Sequence, residues 1–516
     1  MHASSTRTST ARSSTCSTRR LDTEPSADQP NALLGPPEAR PVATRRILAN
    51  TTWRAIAEIG SKLATLALVV VMARELGESG FGVFTFGFAF ATLVTALAGF
   101  GQDVVLTREV ARDPRRFDRY FVNTLVLKCA LALPALLVSS AAAYALGVDA
   151  ETRWVVLLLG VAVVTELLTM TCLAAFQAFE RLVYMPVVMV TQRALAAGVG
   201  IAALLAGAGV VAVSAVYAAA ACVAFVLGLA LVDRKIGRPR LSLDPGFWWP
   251  LMRIAAPIGV AGVLGTILFR VDTAILAWFE PKEVVGQYGA AFRLFEATLF
   301  LSWSVGTAIY PVLSRLTAET DPPLGSVFDR SLKLVIALTL PLAVAAAILG
   351  EGIVELLFGA DFAEAGTALV LLAPAIAFYP VAHVAGVLLY AGDRQLSMVA
   401  VYGTGAAANV VVNVILIAAF SLEGAAVATS LTWLLLAAAL VALAARTSGS
   451  VAMARIVVGP LVASAAAALV MAAFRAEVVS ALGAGAAAYL LVLVAYERRV
   501  HPEDAAPLGD FLRRRA

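Results

Sequence analysis

Residues 52–105 read TWRAIAEIGSKLATLALVVVMA, then RELGESG, then FGVFTFGFAFATLVTALAGFGQDVV. Two mainly apolar runs, each of more than 20 residues, flank a short polar turn. An α-helix rises about 1.5 Å per residue, so either run is long enough to cross the ~30 Å hydrocarbon core of a bilayer. Outward from this pair the pattern repeats, at 52–73, 81–105, 121–146, 154–176, 183–206, 209–232, 251–279, 288–312, 331–350, 367–391, 397–420, 424–445, 452–474 and 477–496. The expected fold is an all-α polytopic membrane protein of about 14 transmembrane helices.

Composition supports this. Hydrophobic residues make up 60% of the 516 and charged residues 14%, with a mean hydropathy of +0.86, which leaves too little polar surface for a soluble globule. The net charge of +4 matters less than its distribution. Cations gather in loop 2/3 (Arg108, Arg112, Arg115, Arg116, Arg119), loop 6/7 (Arg234, Lys235, Arg238, Arg240), loop 8/9 (Arg315, Arg330, Lys333) and both tails. The opposite loops carry Arg74, Arg153, Lys282 and Arg475, mostly beside acids. Cytoplasmic loops hold the excess of Lys and Arg, so both termini are expected on the cytoplasmic side of a plasma membrane.

The longest loops, near 106–120, 233–250 and 313–330, fall well short of the ~50 residues an independent domain needs. That excludes most enzymes, and no catalytic residue is expected. Cys16, Cys129, Cys172 and Cys222 have no metal-ligand spacing, and three lie inside apolar spans, so no disulfide, metal or cofactor is expected. Residues 1–46, rich in Ser, Thr, Arg and Pro, lack a signal-peptide core and are expected to be disordered. Their composition loosely resembles an organelle transit peptide, but a cytoplasmic tail or a misassigned upstream start is the favoured reading.

A faint repeat links Phe81-Gly82-Val83-Phe84, opening the second span, to Val285-Gly286-Gln287-Tyr288, opening the eighth. The offset of six spans implies two six-helix lobes related by a pseudo-two-fold axis along the membrane normal. The expected organisation is a disordered cytoplasmic tail (1–46), an N-lobe (47–232), a C-lobe (233–446), a peripheral pair of helices (447–496) and a cytoplasmic tail (497–516). The Ala-rich pair faces lipid or neighbouring helices, or serves dimer contacts; a monomer is the favoured reading.

Several pieces, in order, resemble the oligosaccharide flippase (Wzx-like, polysaccharide biosynthesis) family. They are Ala73-Arg74-Glu75-Leu76-Gly77, Gly80-Phe81-Gly82-Val83-Phe84, Gly101 and Thr107-Arg108-Glu109 in the first half. In the second half they are Arg270-Val271-Asp272-Thr273-Ala274-Ile275-Leu276, Val285-Gly286-Gln287-Tyr288, Tyr310-Pro311-Val312-Leu313-Ser314 and Leu357-Phe358-Gly359 with Phe362 and Ala365. Gly392-Asp393-Arg394, Asn409 with Asn413, and Gly424-Ala425-Ala426-Val427-Ala428-Thr429 complete it. The likeness covers about 50–445. The family belongs to the multidrug/oligosaccharidyl-lipid/polysaccharide exporter superfamily, which also holds multidrug extruders and the lipid II flippase. The resemblance implies movement of a polyprenyl-diphosphate-linked oligosaccharide from the inner to the outer leaflet by alternating access. Implied partners are that lipid, membrane lipids, and glycan polymerase and glycosyltransferases, with no nucleic acid.

Ionisable groups within the spans are the candidate site residues, because such charges are costly in lipid and face cavities or partners. Arg54, Glu58 and Lys62 share one face of the first helix at i, i+4 steps, either as a cationic path for a diphosphate or as a self-neutralising ion-pair stripe. Lys128 and Arg193 are candidate phosphate ligands in the N-lobe, since a diphosphate in a low-dielectric interior requires cations. The alternatives are a structural Glu166–Arg193 pair and a Lys128 that snorkels to the interface. In the C-lobe, Arg270 and Asp272 on span 7 lie at similar depth to Arg293 and Glu296 on span 8. They form an Arg–carboxylate gate, an ion-coupling site or a static salt bridge. Arg270 and Asp272 are about 200° apart round the helix and cannot share a face, so Asp272 is expected to point into the C-lobe with Arg293 as partner. His383 serves coupling or packing, Asn409 and Asn413 interhelical hydrogen bonds, and Pro374 with Pro380 a hinge or a fixed kink.

The favoured function is therefore a lipid-linked oligosaccharide flippase, with Arg54, Lys62, Lys128, Arg193, Arg270 and Arg293 binding substrate, and Glu58, Glu166, Asp272 and Glu296 gating or coupling ions. The rivals are a multidrug or amphiphile exporter of the same superfamily and a membrane-embedded glycan assembly protein without transport activity. The cationic surplus favours an anionic substrate.

Overall fold

The computed structural model describes residues 40–145, 147–317, 324–449 and 452–500, with side chains from residue 60 onward. The expected N-terminal tail lies outside the described residues as far as residue 39, as do Cys16 and residues 501–516 of the C-terminal tail. Residues 40–56 belong to a separate unit and are described only as the helical start of α1.

The helices are α1 (Arg40–Thr95), α2 (Gln102–Arg112), α3 (Phe117–Ala145), α4 (Ala150–Ala178), α5 (Tyr184–Leu205), α6 (Val210–Lys235), α7 (Trp248–Phe279), α8 (Lys282–Leu316), α9 (Leu324–Phe358), α10 (Ala363–Ala391), α11 (Gln395–Ser448), α12 (Met453–Ala473) and α13 (Val478–Val500). Among the described residues, twelve helices are long and apolar enough to span a bilayer. Fourteen apolar stretches map onto these twelve because two pairs run on without a gap. Gly60–Arg112 and Gln395–Ser448 cover 53 and 54 residues, which would reach about 80 Å if straight, more than twice a hydrocarbon core. Neither is straight. Gly77 breaks α1 at φ 66°, ψ −176°, inside the RELGESG turn, and no atom lies within 4 Å of a Cβ added there; glycine is needed for the backbone angle, not for space. Ser421 breaks α11 at φ 51°, and the chain folds back so sharply that a Cβ on Gly424 would meet the Leu416 carbonyl oxygen at 2.0 Å.

Two lobes follow. In the first, α4 packs between α3 and α6, with α2 against α3 and α4 and with α5 on α6; in the second, α10 is enclosed by α8, α9 and α11, and α11 covers α7. The pair α12 and α13 packs on α9, through Ala345, Leu349, Ala463, Ala467 and Tyr489. The repeated motifs meet each other. A Cβ on Gly82 would lie 1.8 Å from the Lys282 carbonyl oxygen, and one on Gly286 would lie 2.1 Å from that of Glu78. Each glycine thus accepts the backbone of the residue four before its counterpart, the reciprocity a two-fold relation produces. With no side chains between them, α1 and α8 touch backbone to backbone.

Candidate functional site

At the end of the bundle opposite the arginine-rich loops, the lobes are closed against each other. Beside the Gly82–Gly286 contact, Phe81 packs edge-on to Phe362 at 6.1 Å between centroids. Arg74 donates from Nε and Nη2 to the carbonyls of Leu357 and Leu356, each at 2.7 Å. Those are last-turn carbonyls of α9, left without helical partners and at the negative end of its dipole. Lys282 at the start of α8 pairs with Asp149, which also caps α4 by accepting from the Thr152 amide. Burial raises the Asp149 carboxyl, but the Lys282 ammonium and the Thr152 amide outweigh it and hold the pKa at about 2, so Asp149 is anionic throughout the neutral range.

Deeper in the bundle, the N-lobe wall is aromatic. Phe84 and Phe88, one helical turn apart on α1, stack on each other at 6.5 Å and both meet the Tyr217 ring of α6 edge-on. Over Phe88 sit two guanidinium groups of the C-lobe, Arg270 at 5.2 Å and Arg293 at 5.0 Å from the ring centroid. Between the two arginines lies Glu296. Arg270 Nη2 donates to its Oε1 at 2.7 Å and Arg293 Nη1 to its Oε2 at 3.0 Å. The three side chains are 16–20% exposed, and Arg270 and Glu296 line a cavity of about 340 Å3 with Thr92, Thr266, Phe269 and Trp303. Lys62 reaches across from α1 to lie 5.8 Å over the Trp303 ring, a cation–π contact between the lobes.

Tyr217 links this cluster to the N-lobe charges: it hydrogen-bonds Glu166 and lies within electrostatic reach of Arg193 and Arg293. Glu166 also accepts from Gln192 Nε2 at 2.5 Å, while Arg193 donates to Ser61 Oγ at 2.9 Å. Among the described residues, the region therefore gathers four cations (Lys62, Arg193, Arg270, Arg293) against two carboxylates (Glu166, Glu296). The side chains of Arg54 and Glu58 lie outside the described residues.

Two candidates stand elsewhere. Lys128 has 0% exposure, and its ammonium donates to both Asp103 oxygens at 2.8 and 2.6 Å, to the Leu167 carbonyl at 2.7 Å and to Thr171 Oγ1 at 2.9 Å. It ties α2, α3 and α4 together, neither snorkelling nor holding a free donor for a phosphate. Asp272 points into the C-lobe as expected, 1% exposed, but its partner is not Arg293. Tyr288 Oη donates to Oδ2 at 2.5 Å, Thr429 Oγ1 to Oδ2 at 3.1 Å and the Thr273 amide to Oδ1 at 2.6 Å. The correction has a simple cause: Arg293 is three residues before Glu296 on the same helix face, and that carboxylate takes it.

Asn409 donates across to Thr432 Oγ1 at 2.9 Å, whereas Asn413 donates back to the Asn409 carbonyl on its own helix. His383 stacks on Tyr379 at 5.8 Å. Cys129, Cys172 and Cys222 are free thiols, and among the described residues no three of His, Cys, Asp and Glu converge as metal ligands. Sequence reading missed Phe88, Trp303, Tyr217 and Tyr379. The i, i+4 spacing of Phe84 and Phe88 was a usable signal; for Trp303, Tyr217 and Tyr379 none exists, since apolar helices are full of aromatic residues.

Known proteins share this architecture. The family model described as "polysaccharide biosynthesis protein" matches residues 47–317, a little over half of the chain, and that of the lipid II flippase MurJ matches residues 252–496. A Haloferax volcanii protein described as a probable low-salt glycan biosynthesis flippase, Agl15, is 23% identical over 368 residues, or 71% of this chain and 76% of that protein. Among solved structures, lipid II flippase MurJ in an inward closed conformation superposes with a TM-score of 0.75 at 13% identity, covering 87% of this chain and 99% of that one. An inward-facing multidrug resistance MATE family transporter gives 0.63 at 15% identity, covering 75% and 94%.

Proposed function

This chain belongs to the polysaccharide biosynthesis protein family, and from that premise we propose that it is a flippase carrying a polyprenyl-diphosphate-linked oligosaccharide from the inner to the outer leaflet of the plasma membrane by alternating access. The observation that carries the reading is the pair Arg270 and Arg293 on one carboxylate, Glu296, at the junction of the lobes. A guanidinium fork matches phosphate oxygens in pairs, and two forks around one acid leave a positive surplus for a diphosphate. Arg193 and Lys62 extend the cationic lining, and Arg54 is assigned to substrate binding with them; Glu58, Glu166, Asp272 and Glu296 serve gating or ion coupling. The chain crosses the membrane fourteen times, each kinked long helix counting twice, and its arginine-rich end is cytoplasmic. The contacts that close the opposite end then form the outer gate, and their rupture opens the cavity outward. Glycosyltransferases on the inner face supply the substrate and a glycan polymerase consumes the product. A cationic-amphiphile exporter is less well supported, because the carboxylate in this cavity already has two guanidinium partners.

Arg270→Ala with Arg293→Ala, combined with Glu296→Gln so that no carboxylate is left unpaired, is expected to abolish glycan display while the protein stays folded in the membrane. Arg293→Lys alone is expected to retain only part of the activity, since a point charge replaces the fork. Normal display in the triple variant would remove these residues from the mechanism.

A further inference from the structure

The C-lobe holds a second cavity, of about 430 Å3, between α8, α10 and α11. That is within the ~300–1,000 Å3 of small-molecule sites. Its polar lining comes from Thr307, Tyr310, His383, Tyr390 and Tyr402, with no Asp, Glu, Lys or Arg among its lining residues. Two glycines make the space. A Cβ on Gly306 would lie 2.8 Å from His383 Nε2, so the imidazole sits against α8 only because that side chain is missing, and one on Gly386 would sit 3.7 Å from the Tyr402 hydroxyl. Tyr310 and Tyr390 stand side by side across the cavity, ring centroids 5.7 Å apart.

A chain of side-chain contacts links this cavity to the cation site. Trp303, which lines the first cavity, donates Nε1 to Tyr379 Oη at 2.7 Å, and Tyr379 in turn stacks on His383. From Arg293 to Thr307 is 14 residues of one helix, about 21 Å along its axis, a length that a few sugar units span.

The chemistry of the walls selects among ligands. A hydrocarbon tail would leave the Tyr402 phenol and the His383 imidazole without partners, and each buried polar group left unpaired is costly; Thr307 Oγ1 donates to the Trp303 carbonyl at 2.8 Å and keeps acceptor capacity for a ligand. None of the lining residues is charged, so neither an anion nor a cation finds a counter-ion among them. A neutral sugar fits both demands: its C–H face covers an aromatic ring, and its hydroxyls donate to and accept from Tyr, His and Thr. We propose that the α8–α10–α11 cavity is a saccharide subsite, which takes an uncharged sugar unit of the lipid-linked glycan by stacking on its phenol rings and by hydrogen bonds to Tyr310, Tyr402, His383 and Thr307. The proposal deepens the flippase reading and rests on it.

The test compares two probes on the full chain in lipid nanodiscs: a polyprenyl diphosphate carrying a neutral trisaccharide, and the same lipid without sugar. Wild type is expected to bind the glycosylated lipid at least tenfold more tightly. Tyr310→Phe and Tyr402→Phe, which keep the ring and remove one hydroxyl, are each expected to weaken the glycosylated lipid by about two- to tenfold and leave the bare lipid unchanged. Gly386→Leu, which fills the cavity, is expected to erase the preference. Phenylalanine variants that bind the trisaccharide lipid as wild type does, or that lose both lipids equally, overturn the subsite while the flippase reading stands. A wild type that binds neither lipid overturns the flippase reading and the subsite with it.

Discussion

Lys128 and Arg293 are both cations within an apolar helix, and the difference between them is how many donors the fold has used. The Lys128 ammonium meets Asp103, Thr171 and a carbonyl with 0% exposure; Arg293 bonds one carboxylate, lies over Phe88 and stays 20% exposed. Removing one member of a buried ion pair leaves the other charge uncompensated, at about 3–5 kcal/mol. Lys128→Met is therefore expected to lower thermal stability sharply, while Lys128→Met with Asp103→Leu recovers most of it, because no charge is then stranded. If the single variant loses transport at unchanged stability, the tie between α2, α3 and α4 is not its role. The partner of Arg293 was legible from its i, i+3 spacing to Glu296; the fate of Lys128 was not. Asp103 stands 25 residues before Lys128 in the chain, and only the packing of α2 on α3 brings them together. Asp272 was half legible: its direction followed from the 200° offset to Arg270, its partners Tyr288 and Thr429 from nothing in the local sequence.

At the scale of elements, the turn RELGESG and the glycines of the repeat determine how α1 and α8 meet. Val at position 286 would drive a methyl-bearing Cβ against the Glu78 carbonyl, where even a bare Cβ falls 2.1 Å away. Backbone cannot yield as a flexible side chain does, so Gly286→Val is expected to part the lobes at that end. Cysteines at Phe81 and Phe362, whose rings now touch, should be joined efficiently by a short bifunctional thiol reagent in the parent protein and several-fold less in Gly286→Val. Undiminished cross-linking would show that the α1–α8 crossing does not hold this end closed. The spans themselves were legible because lipid imposes length and apolarity on every crossing. The gaps left between the first two spans and between 397–420 and 424–445 are where single residues at positive φ, Gly77 and Ser421, break α1 and α11.

For the whole molecule, charge asymmetry makes the orientation testable. Cysteines introduced at Asp113 and Gly237 are expected to resist a membrane-impermeant thiol reagent in intact cells, and one at Lys282 to react. Labelling of the first two and not the third would invert the topology. What the sequence by itself determined is the class of protein: a multi-pass membrane bundle, its spans, its repeat and its excess of cations, all of which follow from how each segment must satisfy its backbone and its charges in lipid. What only tertiary structure decided is which charges share a space. Arg270 and Arg293, joined by Glu296, meet Phe88 from the other lobe, Lys62 meets Trp303, and Lys128 is taken up by Asp103. Such pairings depend on helix rotation and on which helices are neighbours. A long apolar helix sets neither, because lipid is as apolar as its own side chains, and direction comes from packing against the rest of the bundle.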